Sequence, residues 1–329
     1  MRDVAREADV STALVSIVFR DAPGASEQTR RHVREAAERI GYVLDERARL
    51  LRRSRSTDIG ILFETGQPFH QHLLDALYST IEGVGGTVIL SGVSSARDER
   101  TALAGLVSYR CGAIVALGPT SDEASLLEVA DGIPLISIAR PMGGGIDWVS
   151  SDDRAGNVLA VEHLADLGHQ EILFAAAEEG AAGAPERHRG FGEAVVARGL
   201  RGMLEVGGST EASGADLGYR LLERPRLPSS VIAFNDRAAL GLMDVFVRHG
   251  VRVPEDVSVI GHDDSEIAGR RYVELTTVAQ DTRRMAERAA ELARERMADD
   301  SAAGFQPGRG ALVPVELVVR GSTGAPRSE

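Results

Sequence analysis

A few groups of residues in this sequence have side chains suited to chemistry. His70-Gln71-His72 and His262-Asp263-Asp264 carry metal-ligand types. Two histidines two residues apart share no helix face, and neither group has a third ligand at hand, so no metal site is expected. No Gly-x-Ser-x-Gly elbow is present for nucleophilic catalysis. A phosphate-binding P-loop needs lysine, and all 37 basic residues are arginine. Gly143-Gly144-Gly145 is a turn signal with no helical pattern after it, so it is no dinucleotide fingerprint. The expectation is a non-enzyme without metal or cofactor.

What remains is charge. Residues 1–57 hold 12 arginines against 9 acids, a charge of +3, while residues 58–329 hold 25 against 40, a charge of −15. A basic head on an acidic body points to nucleic acid at one end. Every cationic contact to phosphate must come from arginine.

Residues 1–40 predict three short helices. Met1, Val4, Ala5 and Ala8 form one stripe, Val15, Val18 and Phe19 a second, and Val33, Ala36, Ala37 and Ile40 a third. Ser11 and Ser26 are placed to cap the second and third helices, and Gly41 to end the last. A trihelical unit with a tight first turn is the helix-turn-helix pattern, with a plain three-helix packing module as the alternative. The arginine-rich stretch 42–56 has too few apolar positions to bury itself, so it is a linker or a helix that forms against a partner.

From residue 58 short apolar runs (Ile59–Phe63, Thr87–Leu90, Ala113–Leu117, Ile133–Ile138, Glu171–Phe174, Ser230–Phe234 and Val257–Ile260) alternate with helical patterns. That rhythm predicts parallel sheets covered on both faces, and its length predicts two lobes. No run of about 20 apolar residues exists to span a membrane. The first residues lack the apolar segment of a secretory signal. The single Cys111 fits a reducing compartment, so a cytoplasmic location is expected.

Ordered motifs give a resemblance. Arg2-Asp-Val-Ala-Arg-Glu-Ala-Asp-Val-Ser11, Val15-Ser16, Ser26-Glu-Gln-Thr-Arg30 and Ile40-Gly-Tyr42 resemble the head of lactose-repressor (LacI/GalR-type) regulators. Ser151-Asp-Asp-Arg-Ala-Gly156, Leu167-Gly-His169, Arg187 with Gly190-Phe191, Asn235-Asp236, Val253–Asp264, Leu275–Val278 and Glu316–Ser322 follow in the family's order. The resemblance implies an all-α helix-turn-helix head at 1–44, a hinge at 45–57 and a ligand sensor at 58–329. The sensor is implied to be an α/β pair of periplasmic-binding-protein-like lobes with doubly wound parallel sheets. The first lobe would hold about 58–155 and 282–309, the second about 156–280 and 311–323, with crossings near 150–158, 279–283 and 308–312.

For DNA, the family's base-contacting positions correspond to Thr12, Ala13 and Ile17 on the second helix, behind the capping Ser11. Ser16, Ser26, Thr29 and Arg30 suit phosphate. Leu51 matches the apolar wedge placed in the minor groove, with Ala48 beside it. Leu14 and Ile17 depart from the family's usual polar types, and they would pack on thymine methyls or extend the head's own core. Met1 falls inside the first helical turn, where relatives carry a capping Thr upstream.

For the ligand, the resemblance carries over Phe69, His70, Asp152, Arg187, Asn235 and Asp263. Arg donates in a fork, Asp accepts and Asn does both, which suits a sugar or related polyol. Taken singly, Asp263 as a cap, Asn235 as a turn former and Arg187 as an ion-pair partner are the structural alternatives. Trp148 is read as lying near the cleft or in the core. The implied partners are a pseudo-palindromic double-stranded operator, a small effector and a second copy of the chain in a homodimer, with no membrane. The rival reading is a solute-binding protein without DNA function, against which residues 1–57 speak. A sugar-processing enzyme is the third.

Overall fold

The structure is a computed structural model that describes residues 1–19, 23–41, 56–178, 180–299 and 306–327. The expected hinge positions Ala48 and Leu51 lie outside the described residues. The chain divides into two compact units between Ser56 and Thr57.

The first unit holds α1 (Arg2–Glu7), α2 (Thr12–Phe19) and α3 (Glu27–Arg39). Val4, Ala5, Ala8, Val15, Val18, Val33, Ala36 and Ala37 meet in one small core. Ile40, expected to complete the third stripe, caps the end of α3 and is 39% exposed. Ser11 Oγ accepts from the Leu14 N–H at 3.1 Å, and Ser26 Oγ from the Thr29 N–H at 3.2 Å. Each satisfies a backbone donor that the first helical turn leaves without a partner. A contact between His32 Nε2 and Ala8 O (3.1 Å) and an Arg39–Glu7 ion pair (3.2 Å) tie α3 to the first helix and the turn after it.

The second unit contains two six-stranded sheets. The first runs β11-β5-β4-β3-β1-β2, the second β12-β10-β9-β8-β6-β7. The first-sheet strands are β1 (Ile59–Glu64), β2 (Val88–Val93), β3 (Ala113–Leu117), β4 (Leu135–Ile138), β5 (Asp147–Ser151) and β11 (Gly310–Val313). The second-sheet strands are β6 (Glu171–Ala176), β7 (Arg201–Val206), β8 (Ser230–Ala233), β9 (Ser258–Asp263), β10 (Thr276–Gln280) and β12 (Val315–Val318). All pairings are parallel except β10 with β12. Two-sided burial explains the continuous apolar runs of the central strands. Strands β5 and β7 gave no such run, because β5 carries Asp147, Ser150 and Ser151 and β7 is a half-exposed edge.

Helices cover both faces. In the first lobe α4 (Pro68–Glu82) and α11 (Thr282–Ala298) pack on one side, and α5 (Glu99–Ser108) with α6 (Glu123–Ala130) on the other. In the second, α9 (Glu211–Leu222) and α10 (Asp236–Arg248) face α7 (Asp153–Asp166) and α8 (Ala184–Ala197) across the sheet.

The chain passes between lobes after Ser151, after Gln280 and at Pro314. The third passage corrects the expected 308–312 and the assignment of 311–313 to the second lobe. Ala311, Leu312 and Val313 pair with Val149, Ser150 and Ser151 on the first sheet. Proline has no N–H to continue a ladder, so the strand breaks there and resumes on the second sheet.

Candidate functional site

Parallel sheets present their strand carboxyl ends to one crevice. Here the ends of β1, β3 and β4 face those of β8, β9 and β10 around a cavity of about 330 Å³. Phe69, His70, Arg187, Asn235 and Asp263 all line it, but Asp152 does not. Asp152 is the N-cap of α7, its Oδ1 accepting from the Ala155 N–H at 2.9 Å. The next residue, Asp153, lines the cavity in its place, as does Gln280. Neither was among the expected residues. The preference of Asp for the N-cap admits either neighbour, so sequence alone does not choose between Asp152 and Asp153. Gln280 had no signal beyond its place at the end of a crossing strand. Trp148 is absent from the lining and packs over Gly310, where a Cβ would lie 2.2 Å from its ring.

Arg187 organises the cavity. Its Nε donates to Asp153 Oδ1 at 2.8 Å and its Nη1 to Phe234 O at 2.6 Å, and the guanidinium sits 4.5 Å from the Phe234 ring centre. The Arg187 and Asp153 side chains are only 7% and 5% exposed. Burial alone would raise the Asp153 carboxyl, but Arg187 and His262 outweigh it and hold it at about 2. Burial, aided by Arg187, drives His262 down to about 4. Its Nε2 is 3.3 Å from Asp153 Oδ1, short of good hydrogen-bond geometry, and its Nδ1 has no partner among the described residues.

Asp263 is opposite in character. Burial, with the Asp236 and Asp153 charges adding to it, pushes its carboxyl up to about 8 against the pull of Arg187 4.0 Å away. That shift favours the protonated form. Its backbone φ is 114°, a conformation that side chains other than glycine rarely adopt and that costs on the order of 1–3 kcal/mol. Gln280 Nε2 donates to Asp263 Oδ1 at 2.7 Å, while Gln280 Oε1 accepts from Ser151 Oγ at 2.5 Å. This relay joins the last residues of β5, β10 and β9 and so spans two of the three crossings.

Asn235 is already engaged. Its Oδ1 caps α10 through the Ala238 N–H at 2.9 Å and its Nδ2 donates to Ser209 O at 3.0 Å. Both the capping role and a place in the lining are real. His70 Nδ1 accepts from the Glu64 N–H at 3.2 Å, so its proton sits on Nε2, and burial lowers its pKa to about 4. Gly118, with φ +52°, leaves room for that Nε2: a Cβ there would lie 3.3 Å from it.

The head carries the other set. Thr12 and Ala13 are exposed on α2, and Ser16 and Ile17 are half-buried. Ser11 and Ser26 are exposed caps, and Thr29 Oγ1 lies 2.8 Å from Ser26 Oγ. Arg30, expected to reach phosphate, is instead buried. Its side chain is 10% exposed and lies 3.7 Å from Glu27, held in the head's own packing.

Comparison with known proteins agrees with both ends. Residues 1–45 match the description "Bacterial regulatory proteins, lacI family" and residues 161–323 "Periplasmic binding protein-like domain". The chain is 33% identical over 303 residues to the HTH-type transcriptional regulator GalR of Escherichia coli, covering 89% of this chain and 88% of that protein. A LacI transcriptional regulator from a Rhodococcus species is similar in structure, with a TM-score of 0.78 and 38% identity over 82% of this chain and 100% of that one. The lac repressor dimer bound to operator and the anti-inducer ONPF superposes with a TM-score of 0.84 at 26% identity over 98% of each chain. No helix among the described residues is long and apolar enough to cross a membrane. The chain belongs to the lactose-repressor family of bacterial regulatory proteins, and it is a DNA-binding transcriptional regulator controlled by a small-molecule effector.

Proposed function

We propose that the effector is a small, uncharged polyol of about monosaccharide size, bound between the lobes by Arg187, Asp153, Asp263, Gln280, Asn235, His70 and Phe69. The observation that carries this is the charge balance of the cavity. Arg187 is neutralised by Asp153, burial pushes Asp263 toward its protonated form, and His70 and His262 are held neutral by theirs. Donors and acceptors abound, the inward-facing charges are countered, and the remaining lining carboxylate, the exposed Glu64, opposes an anion, which together favour hydroxyls over a carboxylate. A volume of about 330 Å³ equals about eleven waters at about 30 Å³ each, room for a hexose. Phe69 offers an apolar face for a sugar ring.

On this reading the cytoplasmic chain acts as a homodimer on a pseudo-palindromic operator and catalyses nothing. Thr12, Ala13 and Ile17 meet bases, and Ser16, Ser26 and Thr29 meet phosphates. Hinge residues Ala48 and Leu51 belong to the same proposal. Effector binding biases the angle between the lobes.

The test is a panel of neutral monosaccharides, sugar acids and nucleobases, scored by thermal shift of the full chain and by change in operator affinity. At 100 times its Kd a true effector stabilises by about 2.7 kcal/mol. A neutral sugar should shift both readouts in the wild-type chain and neither in Arg187→Met. A response confined to sugar acids or nucleobases overturns the proposal.

A further inference from the structure

The outward face of α2 has no side chain that can grip a base edge with two hydrogen bonds. Thr12–Phe19 contains no Arg, Asn, Gln, His, Asp or Glu. Val15 and Val18 point into the head's core and Phe19 packs against it. At 3.6 residues per turn the opposite side centres on Ala13 and Ile17, one turn apart, with Leu14 beside them. Ala13 is exposed and the other two are half-buried. Ile17 is braced as well as branched: a Cβ on Gly24 would lie 3.7 Å from its Cδ1. The side-chain polar atoms of α2 are the hydroxyls of Thr12 and Ser16, and the Ser11 hydroxyl before it accepts from the Leu14 N–H.

In the major groove every base shows hydrogen-bonding groups, and thymine alone adds a methyl beside its O4 acceptor. Carbon pressed onto a guanine or cytosine edge leaves donors and acceptors without partners. Carbon pressed onto a thymine methyl removes apolar surface from water. We infer that this chain reads its operator half-sites by packing thymine methyl groups against Ala13, Leu14 and Ile17, so that the base pairs under the middle of α2 are A·T. The inference rests on the head being the DNA-binding end, and it adds which chemical group on the DNA is read.

The test begins with duplexes selected from a random pool by the full-length chain. Each thymine of a selected half-site is then replaced by deoxyuridine, which lacks only the methyl, and affinity is measured at fixed salt. One or two thymines per half-site should show a loss of about fourfold per methyl, the factor that burying one carbon is worth, and about sixteenfold when one such thymine is changed in each half-site. Ile17→Ala should shrink that penalty below about twofold, because the carbon that meets the methyl is gone.

If deoxyuridine is tolerated everywhere while exchanging the same base pairs for G·C costs about tenfold, hydrogen bonding reads the site and the inference is wrong. If Ile17→Ala destroys the head, the deoxyuridine scan on the unmodified chain still decides. Selection of no duplex at all would overturn the DNA-binding reading and this inference together, a result distinct from a selected site indifferent to the methyl.

Discussion

Asp153→Asn is the most informative single change. It keeps the side chain's shape and removes the countercharge of a guanidinium that is 7% exposed and 2.8 Å away. Arg187 would keep its bond to Phe234 O and its place over the Phe234 ring, but neither carries charge. Removing one partner of a buried ion pair costs about 3–5 kcal/mol. Asp263, 4.0 Å from Arg187, can take over by ionising. At that distance the replacement is incomplete, which keeps the net loss near the lower bound of that range. A destabilisation of about 3 kcal/mol lowers Tm by roughly 6–12 °C in a domain of this size. The assay is thermal and urea unfolding of the full chain by far-UV circular dichroism at fixed ionic strength. Asp153→Asn combined with Arg187→Met should be more stable than Asp153→Asn alone, because the second change removes the stranded charge. A single variant within about 0.5 kcal/mol of wild type, the range of ordinary surface changes, would refute the picture of a charge-balanced interior.

Other predictions concern pH and packing. Asp263 has a raised pKa, so its contribution to stability is fully present below about pH 4 and is lost as pH climbs through about 8; Asp236, raised to about 6 by burial, adds to that arm. His262 has a lowered pKa, so its contribution is present above about pH 6.5 and is lost as pH falls through about 4. Tm measured against pH should therefore fall on both sides, and Asp263→Asn should flatten most of the alkaline side alone; an unchanged alkaline slope would contradict the assignment. Gly241 lets α10 meet α9, and a Cβ there would lie 1.9 Å from Glu211 O, so Gly241→Ala should cost about 3 kcal/mol or prevent folding. Gly192, inside α8, has nothing within 4 Å of its Cβ position, and Gly192→Ala should stabilise by about 0.5–1 kcal/mol. Equal melting shifts for the two alanine variants would show that close approach is not the reason for Gly241.

Much of this protein was legible in its residues. The trihelical head follows from three apolar stripes, since a short helix must bury one face to persist. The two covered sheets follow from β3-like runs of unbroken apolar residues. Five of the six residues that the resemblance singled out line one cavity, because a family keeps its order along the chain. Contacts between distant segments were not legible. Asp152 and Asp153 are chemically identical neighbours, and only the direction in which the chain enters α7 decides which one caps and which one faces Arg187. Gln280 matters because two crossings bring it between Ser151 and Asp263, residues 129 and 17 positions away. Whether Asp263 carries a proton depends on how much water the packed lobes exclude and on which charges they bring near it. The third crossing sits at Pro314 because β11 finds its partner in β5, more than 150 residues earlier. Local sequence sets the preferences of each segment, but burial, electrostatics and pairing are properties of the assembled neighbourhood, and those the tertiary structure decided.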